Sequence, residues 1–375
     1  MTAVRVTAID DPGLVWGAPA VGRYARALAA LGPRGALDNA CFDLAALQLR
    51  DHAVVLLLPQ GRQDCWLTSP VVTYGRALRD EIHRELRGAQ APLARLAAHV
   101  AEGVLRATAA DRVVYVNHLL FSTSLHGGWP GQDLDDALAA LRAAFPDRAI
   151  VWRSLNLVDH AALLARMRTA GGRPLLSRVV WRLADPARQW APRTDVKADL
   201  GLEKVHGLTV EAVQAPSPVE VDRLLALYGD IYLAKYSSTN PGYTPAALRA
   251  AVAAGVLRLA WVRASSGEIL AFAGDHACEG ELASPLLGHD RTRPQAQGLY
   301  RIAMSLSVRH ALTRGLAVNY SAGAATFKRN RGATPALEYQ VVFDHHLSRR
   351  RRLGYALLAK ALDVMTPTLK RMAAG

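Results

Sequence analysis

Apolar and polar positions change period along this chain. HAVVLLLP (52–59), DCWLTSP (64–70), DRVVYVNHL (111–119), RAIVWRSLN (148–156) and SRVVWRLA (177–184) are short apolar runs bounded by polar turns, and each reads as a strand. Between them lie stretches of helical period: 74–110, interrupted near Pro92, then 133–145 with acidic residues at its start, and 159–170. From about 187 to 205 the text turns polar, which places a boundary there.

The second half is more legible. HGLTVEAVQA (206–215) reads as a strand. The helix 217–237 opens on Ser217 with Glu220 three residues on, a capping box. A second helix, 244–255, has Thr244 as cap and Gly255 as stop. Residues 256–264, 268–277 and 281–290 alternate as a three-stranded antiparallel meander. A basic loop (291–298), a long helix (299–315), a strand (316–322), a short helix around Lys328 and a last strand (337–346) complete the half.

Composition changes this picture only in part. The 375 residues exceed what one core usually holds, about 250–300 residues, so two domains are expected. The 51% apolar content supports packed cores. The formal net charge of +13 favours phosphate-rich or acidic partners: nucleic acid, coenzyme A, an acidic carrier protein or anionic lipid. Cys41, Cys65 and Cys278 are widely spaced and form no zinc or disulfide pattern, so a reducing compartment and no metal are expected. No signal-peptide layout opens the chain and no apolar run reaches about 18 residues, which points to a cytoplasmic chain without a membrane-crossing helix.

The order β-α-α-β-β-β-α-β-α-β over 205–346 resembles the Gcn5-related N-acetyltransferase (GNAT) fold. The expected fold class is α/β, a tandem GNAT-like fold with a mixed sheet flanked by helices in each half. Residues 1–190 would be a degenerate GNAT-like copy, 205–346 the catalytic copy, and 347–375 a basic C-terminal helix. In that fold the loop before the long helix carries Q/R-x-x-G-x-G/A and offers N–H groups to a donor pyrophosphate. Here Gln295 and Gly298 fit, and Tyr300 takes the second glycine position. The resemblance makes Leu287, Gly288, Arg293, Gln295, Gly298, Leu299, Tyr300 and Arg301 the donor-binding set.

SAGAATFKRNRGATPALEY (321–339) carries a second resemblance. The position that holds an acidic tyrosine in many GNAT enzymes is Lys328. Phe327, Lys328, Gly332, Glu338 and Tyr339 instead resemble the F-K-x-x-[FY]-G…E-Y segment of Fem-type aminoacyltransferases, tandem GNAT proteins that move an amino acid from tRNA onto a peptidoglycan precursor. Arg331 replaces the usual aromatic, and no coiled-coil arm is present. The resemblance implies a lysine facing phosphate or developing negative charge, with Asn319 and Ser321 at the strand end beside it.

Asp290, His289 and Asp275 are the groups that would take a proton from an attacking ammonium, and His289 and Asp290 should face opposite ways along a strand. Tyr236 and Tyr243, in the connection between two helices, are expected on the acceptor. Arg153, Asn156, Tyr74 and Asn117 sit at strand ends of the first half, where α/β layers bind ligands. The expected activity is an N-acyltransferase that forms an amide from an acyl thioester, on coenzyme A or a phosphopantetheinyl carrier protein, and a small-molecule or peptidyl amine. Transfer from aminoacyl-tRNA is the alternative, and a non-catalytic GNAT-fold binding protein the second.

Overall fold

The computed structural model describes residues 3–86 and 90–374. Its strands are β1 (Arg5–Thr7), β2 (Phe42–Gln48), β3 (Ala53–Pro59), β4 (Val113–Val116), β5 (Ala149–Asn156), β6 (Arg173–Leu183), β7 (Thr209–Val213), β8 (Arg258–Arg263), β9 (Ile269–Cys278), β10 (Glu281–His289), β11 (Ala317–Asn319) and β12 (Thr334–Phe343). They form one mixed sheet in the order 1-2-3-4-5-12-6-11-10-9-8-7.

The same pattern occurs twice, from opposite edges inward. β1 to β4 pair antiparallel and β4 then runs parallel to β5. β7 to β10 pair antiparallel and β10 then runs parallel to β11. The two patterns meet at β12 and β6. The strand at 334–343 does not close the second half: it lies between β5 and β6 of the first, antiparallel to both. β6 can serve both halves because it is 11 residues long; its end pairs with β11 on the other edge, Val318 against Leu183 and Asn319 against Arg182. On β12, Val341 and Phe343 bury into a cluster of first-half residues, and Leu337 and Val342 into a core shared by both halves.

Local expectations are mostly met. The Ser217–Glu220 capping box is present in both directions, and the Thr244 side chain accepts from the N–H of Ala247. Two readings fail. Residues 64–70 form a turn, because Ser69 caps the following helical segment by accepting from the N–H of Val72 and the Thr68 hydroxyl bonds Gln63 and the Cys65 carbonyl. The polar boundary holds a helix, Thr194–Val205. Among the described residues no helix is long and apolar enough to cross a membrane.

Candidate functional site

β10 and β11 stay paired only as far as Ala283 opposite Asn319. β10 is irregular between Ala283 and Leu286 and then runs on to His289 with β9 on one side only. β11 stops, and the chain turns at Ser321 (φ 57°), Gly323 (φ 77°) and Ala324 (φ 50°) into the helix Ala325–Asn330. Three left-handed residues within four explain the small side chains 321–325: bulk there would strain the backbone. The result is a wedge between the free edge of β10 and the turn 320–324. At its mouth lies the N-terminus of the helix Leu299–Arg314, with Gly298 as cap at φ 64°.

Lys328 holds the turn. Its Nζ donates to the carbonyls of Tyr320 (2.6 Å), Ala322 (2.8 Å) and Ser321 (3.2 Å), and the residue is 3% exposed. Burial, with the Arg178 cation adding to it, pushes the ammonium down to about 7. Asn319 is buried and accepts from the N–H of Ser321 through Oδ1. Lys328, Asn319 and Ser321 are therefore brought together, as one brace on the strand end.

Asp290 stands apart from them. It accepts from Arg223 at 2.9 Å and caps its own turn through Thr292. Burial pushes its carboxyl up, but the bonds from Thr292 and Arg223 outweigh that and hold it below the usual range, so it makes a poor base. His289 packs instead beside the first turn of the helix Leu299–Arg314, its ring 5.8 Å from that of Tyr300. Burial lowers its pKa, which leaves the imidazole neutral and able to accept a proton.

The donor loop is partly filled and largely neutralised. Tyr300 packs on Phe327 at 5.0 Å, and Leu287 and Leu299 lie in the core beside it. A Cβ on Gly298 would meet Leu202 of the helix 194–205 at 2.5 Å, and one on Gly288 would meet Phe272 at the same distance. Arg293 pairs with Glu268, Arg301 with Asp199 at 3.5 Å, and Gln295 is exposed. Arg331, in the usual aromatic position, binds Asp199 through Nε (2.5 Å) and Nη2 (3.0 Å) and lies 3.7 Å over the Phe327 ring. It pins the helix 194–205 across the donor loop.

The first-half residues gather elsewhere. Tyr74 is buried, its hydroxyl accepting from Gln340, and Tyr243 is buried, its hydroxyl donating to the Leu120 carbonyl. Asn117 (φ 56°) ties its own loop to the Leu125 carbonyl. Asn156 caps the turn at 158–159. Tyr236 is 40% exposed, beside Tyr232, under Arg84 and Lys235. Arg153 points into a buried polar seam between the halves, and Asn156 reaches its edge by donating to Asp159 at 2.7 Å.

That seam is the part that sequence reasoning missed. Arg182 binds Asp159 (2.7 Å) and Glu281 (2.5 Å), and Arg178 binds Glu338 (2.7 Å) and the Ser122 carbonyl (2.8 Å). Arg153 and Arg178 both lie over the Trp66 ring, at 5.1 and 5.8 Å. The available signal is two arginines four apart inside an apolar strand, RVVWR (178–182), since a charge there needs a partner. Among the described residues no group of three His, Cys, Asp or Glu side chains is placed to hold a metal ion.

No family model matches the sequence, and no curated protein matches it. Solved structures do. FemX matches over 90% of this chain and 93% of its own, at 9% identity and a TM-score of 0.51. The fold is a tandem GNAT fold. A tandem GNAT protein from the clavulanic acid biosynthesis pathway matches over 91% and 97% of the two chains at 12% identity (TM-score 0.43), and L-PGS from Bacillus licheniformis over 67% and 82% at 14% (TM-score 0.46). At these identities the likeness is one of fold. In this tandem GNAT fold β4–β5 and β10–β11 are the two parallel pairs.

Proposed function

We propose that the protein is an acyltransferase that forms an amide, with its reaction centre in the wedge between β10 and β11. The free edge of β10 beside a helix N-terminus that no side chain caps carries this reading. A donor arm lying along 286–289 would present its acyl carbonyl to backbone N–H groups, which would stabilise the oxyanion. A neutral amine attacks, a C–N bond forms and the bond to the carrier breaks. The proton leaves the amine to His289. Lys328 keeps the turn 320–322 in place and adds positive charge near the leaving group. An acyl thioester on coenzyme A or a carrier protein is the first donor.

A second donor is favoured by one observation. Two cations at the donor loop, Arg293 and Arg301, are already paired with Glu268 and Asp199, and the exposed Arg291 donates to the Asp230 carbonyl, so phosphate would be held largely by N–H groups. Aminoacyl-tRNA, whose phosphates reach distant surface arginines, suits a chain of net charge +13. Titrating the nucleic-acid-free protein with coenzyme A, acyl-CoA and charged tRNA tests both. Saturable acyl-CoA binding that is lost in Gly298→Glu supports the thioester. Binding of tRNA alone, with a steep salt dependence, moves the donor to tRNA. Binding of neither, with no transfer from a carrier-protein thioester, would falsify the acyltransferase reading.

A further inference from the structure

The seam between the halves is unevenly paired. Arg182 meets two carboxylates and Arg178 one. Among the described residues Arg153 meets none, although it is only 5% exposed. Among the described residues the one hydrogen-bond contact of its guanidinium is Nη1 to His118 Nε2 at 3.0 Å, and that nitrogen also lies 3.0 Å from the Leu67 carbonyl. A neutral imidazole nitrogen either donates or accepts, so it serves one of the two. Most of the five N–H donors of Arg153 therefore face no protein acceptor. Leaving a buried charge unpaired is strongly destabilising, so the site calls for an anion.

We propose that Arg153, with Arg178 and Trp66, binds the carboxylate of an amino acid or of a peptide's carboxyl end, and that this molecule is the acyl acceptor. The second clause rests on the transferase reading above; the first does not. A carboxylate fits better than a phosphate on charge. Arg153, Arg178 and Arg182 balance Asp159, Glu281 and Glu338 three to three, but Arg182 takes two of the carboxylates and Arg153 none, so the shortfall is local to Arg153 and a monoanion adds the least surplus charge to the seam. A phosphate dianion would bring a second charge towards Glu338. The fork of a guanidinium matches a planar carboxylate.

Two further features fit the same ligand. Glu338 Oε2 is buried without a partner, an acceptor for an N–H such as an amino acid or peptide end carries. Trp66 is half-buried and 16% of the Arg178 side chain is exposed, so these two are the members of the site that solvent reaches most. The Trp181 N–H donates to the Ser321 carbonyl at 3.1 Å, so Arg178 lies three residues along β6 from the turn that borders the wedge.

The test is binding, read by calorimetry and by tryptophan fluorescence on the full chain. The probes are glycine, alanine, lysine, glutamate and Ala-Ala, each beside its C-terminal amide, and inorganic phosphate. At least one acid should saturate the site, with its amide about 10-fold or more weaker because a charge-assisted bond is lost. Arg153→Gln should abolish that binding, and Arg153→Lys, which keeps charge and loses the fork, should weaken it. Trp66→Phe should weaken binding and lose the fluorescence change, with calorimetry reading the binding that remains. The proposal fails if acid and amide bind alike, if phosphate binds better, if Arg153→Gln binds as the parent does, or if no acid binds at about 10 mM, past the millimolar end of useful affinity. Carboxylate binding without any transfer would sink the transferase reading and leave this site standing; transfer without carboxylate binding would do the reverse.

Discussion

Lys328 couples protonation to backbone geometry. Three carbonyls need three N–H bonds, which only the ammonium supplies. Its folded pKa of about 7 lies well below the ordinary value near 10.4. Between those values the unfolded chain binds the extra proton, so this residue adds stability as pH rises through that window and costs stability below it. Relative to Lys328→Met, the wild type should gain about 1.4 kcal/mol per pH unit between about pH 7.5 and 9.5, read from urea unfolding. Turnover should fall in the variant while circular dichroism is unchanged. His118 and His126 give the acid side. Burial, assisted by Arg153 and His160 respectively, pushes both down to about 3. Each contributes stability that is complete above about 6.5 and lost as pH falls towards 3, at up to about 1.4 kcal/mol per pH unit. Urea midpoints of His126→Gln from pH 7 to 4 should show a shallower fall. The lysine is legible in the sequence because F-K…G singles it out; its three acceptors are not, because they exist only once the turn has folded.

At the scale of elements, the helix Thr194–Val205 sets the character of the donor loop. Sequence pattern hides it because it buries only Val196 and Asp199, and Asp199 is buried on account of Arg331 and Arg301. A helix docked by ion pairs has no apolar stripe to read. Gly298 is the converse: its need for glycine is plain from the loop motif, and the contact with Leu202 adds a second reason. Gly298→Ala should destabilise by about 2–3 kcal/mol, combining left-handed strain with overpacking, measurable by thermal unfolding. Leu202→Ala should relieve part of that loss, since the two positions share one contact. The elements of the meander and the capped helices were readable because each is decided by its own neighbours.

The whole molecule is organised by pairings that no local pattern announces. Glu338 meets Arg178 across 160 positions, and Arg182 meets Glu281 across 99. The tandem architecture follows from element order, whereas the place of β12 does not, since strand character says nothing about partner. Because β12 joins β5 to β6 and β6 joins both halves, the chain should unfold in one transition. A fragment of residues 1–204 should lack a cooperative melt, and co-expression with 205–375 should restore it. Two separate transitions in the intact chain would contradict the single-sheet account.

The position of β12 also governs the order of events during synthesis. When β5 and β6 leave the ribosome, the strand that belongs between them is still some 150 codons away, as the span from Leu183 to Thr334 shows. The nascent first half must either wait with a gap in its sheet or close it wrongly, β5 onto β6. Long-range strand pairing is slow and exposes sticky edges. Yield in the cell should therefore depend on chaperones that shield nascent chains, and on translation speed across 184–333, far more than the stability of the finished protein would suggest.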